Sequence, residues 1–271
     1  MSKNNSLHVI FEKAYNDFHS QFYRDRDPVR FAHLYPDRKD QEIVGIISAL
    51  LAYGNVTCIL QSAASALARL GEHPHAAILS GSFRGQFHGF VHRFTQGVDL
   101  EILCCWLQQA LQEKGTLENY FSDAGGEGPM KNKLSRFVQK LTAEPLPTGL
   151  RKSLKARGRN LKYLVSDPQQ GSACKRLNMF LRWMVRPADG IDLGIWKQIH
   201  PSELMLPVDT HILKMIKQFG WVTTEQATWK VVEQATDHLR KINPADPIRY
   251  DFSLCHLSME GKNSLYAQMA R

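Results

Sequence analysis

Apolar residues recur at helical spacing along almost the whole chain. Leu7, Ile10, Phe11, Ala14, Phe18 and Phe22 share one stripe over 6–23. The stretch 40–53 is apolar nearly all round, which predicts a central, buried helix. Leu100, Leu103, Cys104, Leu107 and Leu111 mark 98–113, and Leu177, Phe180, Leu181 and Met184 mark 173–185. Ile212, Leu213, Ile216 and Phe219 mark 210–219, while 56–70, 224–240 and 247–260 continue the pattern. Nowhere do four or more residues alternate with the β-branched or aromatic composition of a strand. The fold class expected is all-α, with about ten helices and short loops.

Length and composition narrow the class. A chain of 271 residues suits one large or two small domains, and 43% hydrophobic residues suffice for a buried core. The longest near-continuous apolar run, Ile43 to Tyr53, has 11 residues, against the roughly 17 to 25 of a membrane span. Lys3, Glu12, Lys13 and Asp17 interrupt the N-terminal apolar residues, so no secretory signal is expected. The five cysteines, Cys58, Cys104, Cys105, Cys174 and Cys255, include no CxxC pair, which argues against a disulfide framework or a thiolate metal cage. His88 and His92, with His73 and His75 nearby, lack the carboxylate of an HExxH arrangement, and no metal is assigned to them. The expectation is a cytoplasmic, basic, globular protein with no membrane contact, no cofactor and no obligate protein partner.

Charge is unevenly distributed. The chain carries 34 Lys and Arg against 26 Asp and Glu, a net of +8. From Lys131 to Arg176 there are 12 basic residues against Glu144 and Asp167 alone, a net of +10. Such a local excess is the footprint of a polyanion binder, although a solvated lysine-rich loop has the same composition. Lys152, Lys155, Arg157, Arg159 and Arg176 are the candidate phosphate contacts. The stretch reads as a helix over 131–142, a loop, and a short basic helix near 150–157.

Two helix starts carry potential chemistry. Ser172 reads as an N-cap, which places Lys175 in the first helical turn beside Arg176. The positive helix terminus and the neighbouring guanidinium both disfavour an ammonium there, and the neutral amine is the form that attacks carbon. A surface lysine touching phosphate is the plainer reading of position alone. Asp209 reads as the N-cap of the helix over 210–219. A carboxylate held there also suits stabilisation of a cationic sugar, so capping and catalysis are compatible. Cys174 reads as a packing residue.

Pro207-Val208-Asp209-Thr210-His211-Ile212 resembles the segment after the helix-hairpin-helix in the endonuclease III superfamily of DNA glycosylases, where the Asp is catalytic. Glu42 to Asn55 is similar to the buried helix that opens the six-helix barrel domain there. Asp251-Phe252-Ser253-Leu254-Cys255-His256 sits where those enzymes have a late helix beside the base pocket. The resemblance spans roughly residues 40 to 260. Lys175 and Asp209 are 34 residues apart, and Ser166-Asp167-Pro168-Gln169-Gln170-Gly171 stands where a Leu-Pro-Gly-Val-Gly hairpin is usual. Both departures resemble the archaeal 8-oxoguanine DNA glycosylase branch. The runs from Gly171 to Arg186 and from Asp192 to Trp196 also resemble a bacterial family described as of unknown function.

The resemblance implies a two-lobed helical glycosylase fold with a divergent helix-hairpin-helix. Its parts would be an N-terminal helix over 1–37 packing with the C-terminal lobe, a central helical lobe over 38–160, and a catalytic lobe over 161–271, with the site in the cleft. It implies a nucleoid-associated DNA repair enzyme acting on double-stranded DNA with a damaged base, 8-oxoguanine favoured. Lys175 would form the Schiff base, with Asp209 as its partner, an abasic-site lyase step following, and His211 and Arg176 touching DNA. Phe252 and Trp183 or Trp196 are candidates to stack on the flipped base, and Asn55, Gln61 and Asp251 to read its edge. Trp183 has a core reading and Asp251 a helix-capping one. Cys255 alone follows Cys174, so no iron–sulfur cluster is expected. A non-catalytic nucleic-acid binder on the same scaffold, and a monofunctional alkylbase glycosylase in which Asp209 activates water, stay open.

Overall fold

The computed structural model describes residues 3–262; the expected boundaries at 1 and 271 lie outside them. The helices are α1 (Lys3–Phe18), α2 (Gln21–Arg24), α3 (Arg38–Leu51), α4 (Val56–Ala68), α5 (Pro74–Ser80), α6 (Gly97–Lys114), α7 (Leu117–Gly125), α8 (Met130–Ala143), α9 (Thr148–Leu164), α10 (Lys175–Val185), α11 (Thr210–Gln218), α12 (Trp229–Arg240) and α13 (Asp251–Met259). The all-α expectation holds. The one sheet among the described residues is a hairpin of two-residue strands, β1 (Val91–His92) and β2 (Thr95–Gln96). Strands that short leave no alternation to read. No helix among the described residues is long and apolar enough to cross a membrane.

The chain forms two compact units, Arg26–Gln170 and Met1–Asp25 with Gly171–Arg271. The divisions fall away from the expected 37/38 and 160/161 for a packing reason. Val29, Phe31 and Ala32, on a short 3-10 helix before α3, are buried and pack on α3. Leu161, Leu164 and Val165 are also buried, and Gln139 donates to Asp167 at 3.0 Å, which keeps 161–170 with α8.

In the Arg26–Gln170 unit, α3 is the central helix that its composition predicts. Its two buried acids have a structural use. Asp40 accepts from the backbone N–H of His75 at 2.7 Å, in the first turn of α5. Glu42 accepts from the N–H groups of Leu117 and Glu118 at 3.0 and 3.2 Å, at the start of α7. Each carboxylate thus satisfies helix-terminal donors that would otherwise be stranded away from water. The basic helix α9 runs from 148 to 164, well beyond the expected 150–157, with Gly158 inside it. Its buried residues Leu161 and Leu164 lie beyond that expected end, so tertiary packing extends the helix.

Arg157 is a correction to the set of phosphate contacts. Its guanidinium grips both oxygens of Asp99 at 2.6 Å, and its Nη2 donates to the carbonyl of Phe94 at 2.8 Å. Asp99 is itself buried and closes the N-terminus of α6 by accepting from Gln96 N at 2.7 Å. Arg157→Ala would leave that carboxylate buried without its cation, and is expected to lower stability by about 3 kcal/mol. Arg157→Lys should recover little, because an ammonium cannot match the two-pronged grip. Thermal melts beside Lys152→Ala check this, and equal melting temperatures for Arg157→Ala and Lys152→Ala would refute it.

Candidate active site

The second unit assembles the two helix starts. Gly171 takes a left-handed backbone (φ 84), and its carbonyl accepts from Trp229 N at 3.1 Å. The Ser172 hydroxyl accepts from Cys174 N at 3.2 Å. The N-cap of α10 is Cys174 rather than Ser172, and Cys174 has φ 46 and ψ 38. A buried non-glycine residue in that region is held there by its surroundings. It turns the chain so that α10 begins on Lys175.

Asp209 caps α11, and the cap engages one oxygen only. Oδ1 accepts from His211 N and Ile212 N, both at 2.9 Å. Oδ2 stands 4.0 Å from Lys175 Nζ. It also accepts from the Cys255 thiol at 3.9 Å. The Lys175 and Asp209 side chains remain 26% and 22% exposed, so solvent and a ligand can reach both. The cap anchors the carboxylate while its second oxygen faces the amine.

Helix α13 supplies the third wall. Asp251, Cys255 and Ser258 lie at i, i+4 and i+7, on one helix face. Asp251 binds Arg182 Nη1 at 2.5 Å, Cys255 reaches Asp209, and the Ser258 hydroxyl donates to the His211 carbonyl at 3.3 Å. Arg182 also binds Asp192 at 3.1 Å. One turn on, Arg186 binds Asp192, Asp189 at 3.0 Å and Asp246 at 2.9 Å. Burial opposes the charge of Arg186, but these carboxylates hold it firmly protonated. Burial pushes the Asp251 carboxyl up to about 6 against the pull of Arg182, with Asp209 adding to the rise and Lys175 opposing it.

Of the residues singled out from sequence, Lys175, Asp209 and Asp251 meet in this unit, with Arg176 and His211 flanking them. Several assignments change. Asp251 is committed to Arg182 and has no open edge for a base. Phe252 is buried against His19, His256 and the Arg182 guanidinium. Trp183 is fully buried in the core, and Trp196 packs edge-on against Phe180. Neither indole presents a face for stacking. Arg176 is buried too, which removes it from the surface contacts. His211 is half-buried beside Ser258. Asn55 and Gln61 are exposed in the other unit, where Asn55 caps α4 by accepting from Thr57 N at 2.9 Å. Lys152, Lys155 and Arg159 are exposed on α9. His92 is buried and bonded to Ser62 and Tyr53, and no group of three or more metal-ligating side chains occurs among the described residues. Sequence reasoning missed Arg182, Cys255 and Ser258 as parts of the site. The signal was the helical spacing of Asp251, Cys255 and Ser258, which puts them on one face of α13.

Asp251 gives this site a pH signature. Its folded value lies above its unfolded one, so the folded chain keeps a proton that the unfolded chain has lost. Stability from this group is full below about pH 4 and declines as pH rises through 6. Asp251→Asn should remove that decline, so the melting-temperature difference between the two proteins should shift between pH 4 and 7. A carbon-detected titration should place Asp251 near pH 6; titration in the ordinary carboxylate range would contradict the assignment.

No curated protein and no solved structure matches the chain. Residues 27–260 match the family described as "Protein of unknown function (DUF2400)", and the chain belongs to that family.

Proposed function

We propose that this chain is a DNA repair glycosylase with an associated abasic-site lyase activity. It excises an oxidised purine, 8-oxoguanine by preference, on a divergent helix-hairpin-helix scaffold. The observation that carries the reading is the half-open Lys175–Asp209 pair, with Nζ 4.0 Å from Oδ2 and Oδ1 locked into the α11 cap. A binder of DNA needs cations that face phosphate. It does not need a carboxylate fixed against an amine at a helix start.

In this reading the flipped nucleotide presents C1′ to the Lys175 amine. The amine forms a bond to C1′, and the glycosidic bond breaks with its electron pair leaving on the base. The Asp209 carboxylate stabilises the cationic sugar and is placed to take the proton that the amine sheds. The C1′–O4′ bond then breaks with its electron pair on O4′, which takes the proton held by Asp209, and the nitrogen lone pair forms the protonated Schiff base. The Asp209 carboxylate, free again, takes a proton from C2′, and the C3′–O3′ bond breaks with its electron pair on the departing 3′ phosphate, which cuts the strand. Cys255 holds Oδ2 in place from the other side.

Borohydride trapping tests the chemistry on duplexes carrying 8-oxoguanine, an abasic site or no damage. The full chain is expected to form a covalent adduct on the 8-oxoguanine duplex. Lys175→Gln should form none while still binding duplex, and Asp209→Asn should slow trapping by about a hundredfold or more. An adduct on the abasic duplex alone would leave a lyase without base release. An adduct that persists in Lys175→Gln, or no adduct on any duplex, would sink the proposal.

A further inference from the structure

The turn between β1 and β2 is anchored far more firmly than its length requires. The Tyr53 hydroxyl donates to the His92 carbonyl at 2.8 Å and lies 2.8 Å from the Thr95 hydroxyl. The His92 ring bonds Ser62 at 2.9 Å and the Tyr53 carbonyl at 3.1 Å. From α9, Arg157 and Asn160 both donate to the Phe94 carbonyl at 2.8 Å. Arg93 takes a left-handed backbone (φ 51), with its guanidinium over the Phe94 ring at 5.6 Å. This scaffold holds an aromatic ring outward. Phe94 is 54% exposed, and its neighbour Tyr163, from α9, is 44% exposed. The two rings meet edge to face at 5.8 Å.

A cationic stripe borders the pair. Lys152, Lys155, Arg159 and Lys162 follow one another by three, four and three residues along α9, which puts them on one face, and all are exposed. Tyr163 lies four residues after Arg159 on the same flank. No acidic residue occurs in α9, and the buried Asp99 beside it is matched by Arg157. A ring fixed in solvent gives up nonpolar burial, and cations around it would repel a basic partner. An anionic partner with flat apolar faces fits both features, and a polynucleotide has both. In a continuous duplex the base faces are already covered by their neighbours. Only an unstacked base can meet these rings.

We infer that Phe94 and Tyr163 form a stacking platform for unpaired nucleotides of DNA, with Lys152, Lys155, Arg159 and Lys162 tracking the adjoining phosphates. The inference rests on nucleic acid as the partner in the proposed function, but not on Lys175. It adds that the protein engages DNA through unstacked bases as well as through duplex phosphates.

Fluorescence anisotropy on the full chain tests it, with oligothymidine of about 16 nucleotides and a blunt duplex of equal length as probes. Phe94→Ala with Tyr163→Ala is expected to weaken oligothymidine binding by about 5- to 150-fold per base unstacked. Its duplex affinity should change by less than about twofold, since the phosphate contacts remain. Tyr163→Trp should restore binding, and its fluorescence should be quenched as oligothymidine is added. Unchanged oligothymidine affinity in the double variant, an equal loss on both probes, or an unquenched Tyr163→Trp would overturn the platform. Trapping without a Phe94 and Tyr163 effect removes the platform alone. The effect without trapping removes the glycosylase and leaves the platform.

Discussion

Arg182 lies almost wholly out of water, between Asp192 and Asp251, with its guanidinium over Phe252. Removing charges from water is costly, and a buried ion network usually contributes little net stability. What it fixes is register. Only one sliding position of α13 against α10 brings Asp251 onto Arg182, and a slip by one residue would strand both charges. Asp192 serves Arg182 and Arg186 together, so the loop after α10 is pinned by the same carboxylate. That loop also lays Leu193 N and Trp196 N on the carbonyls of Trp183 and Met184, both at 2.8 Å. Gly194 is required there: a Cβ would come within 2.7 Å of Ala188 N and 2.8 Å of Arg186 O.

The geometry around Lys175 follows from that register. With Asp251 seated, the next turns of α13 carry Cys255 and Ser258 to Asp209 and His211 at the start of α11. Three helices are thereby tied at their ends: α10 by its first residue, α11 by its cap and α13 by one polar face. Asp209 can hold a helix and face an amine because a carboxylate has two oxygens and the cap uses one. Its position is set twice, by backbone donors on one side and by a thiol on the other.

The Arg26–Gln170 unit uses buried acids for a related purpose. Asp40, Glu42 and Asp99 each close the start of a helix, and Arg157 neutralises the last of them. Arg157 was legible in sequence as one cation among many, and its pairing was not. The same side chain that leaves the phosphate-contact set also fixes the hairpin turn. The basic helix and the aromatic turn thus become one surface.

The helical class was legible in the chain before any packing was known, because 3.6-residue periodicity is a local property that survives without tertiary context. So were the buried character of α3 and the Asp209 cap, since each depends on residues within a single short segment. Lys175 and Asp209 were legible as a pair only through the resemblance of their segments, as 34 residues separate them. Tertiary structure alone decided which polar residues face one another. The assignment of Asp251 to Arg182 rather than to a base, the burial of Trp183 and Phe252, and the arrival of Cys255 at Asp209 depend on how helices distant in sequence pack. The same holds for the aromatic turn, whose strands are too short to signal themselves and whose exposure is set by Tyr53, just past α3, and by anchors on α4 and α9. Side-chain pairing between distant helices depends on a register that no local pattern encodes.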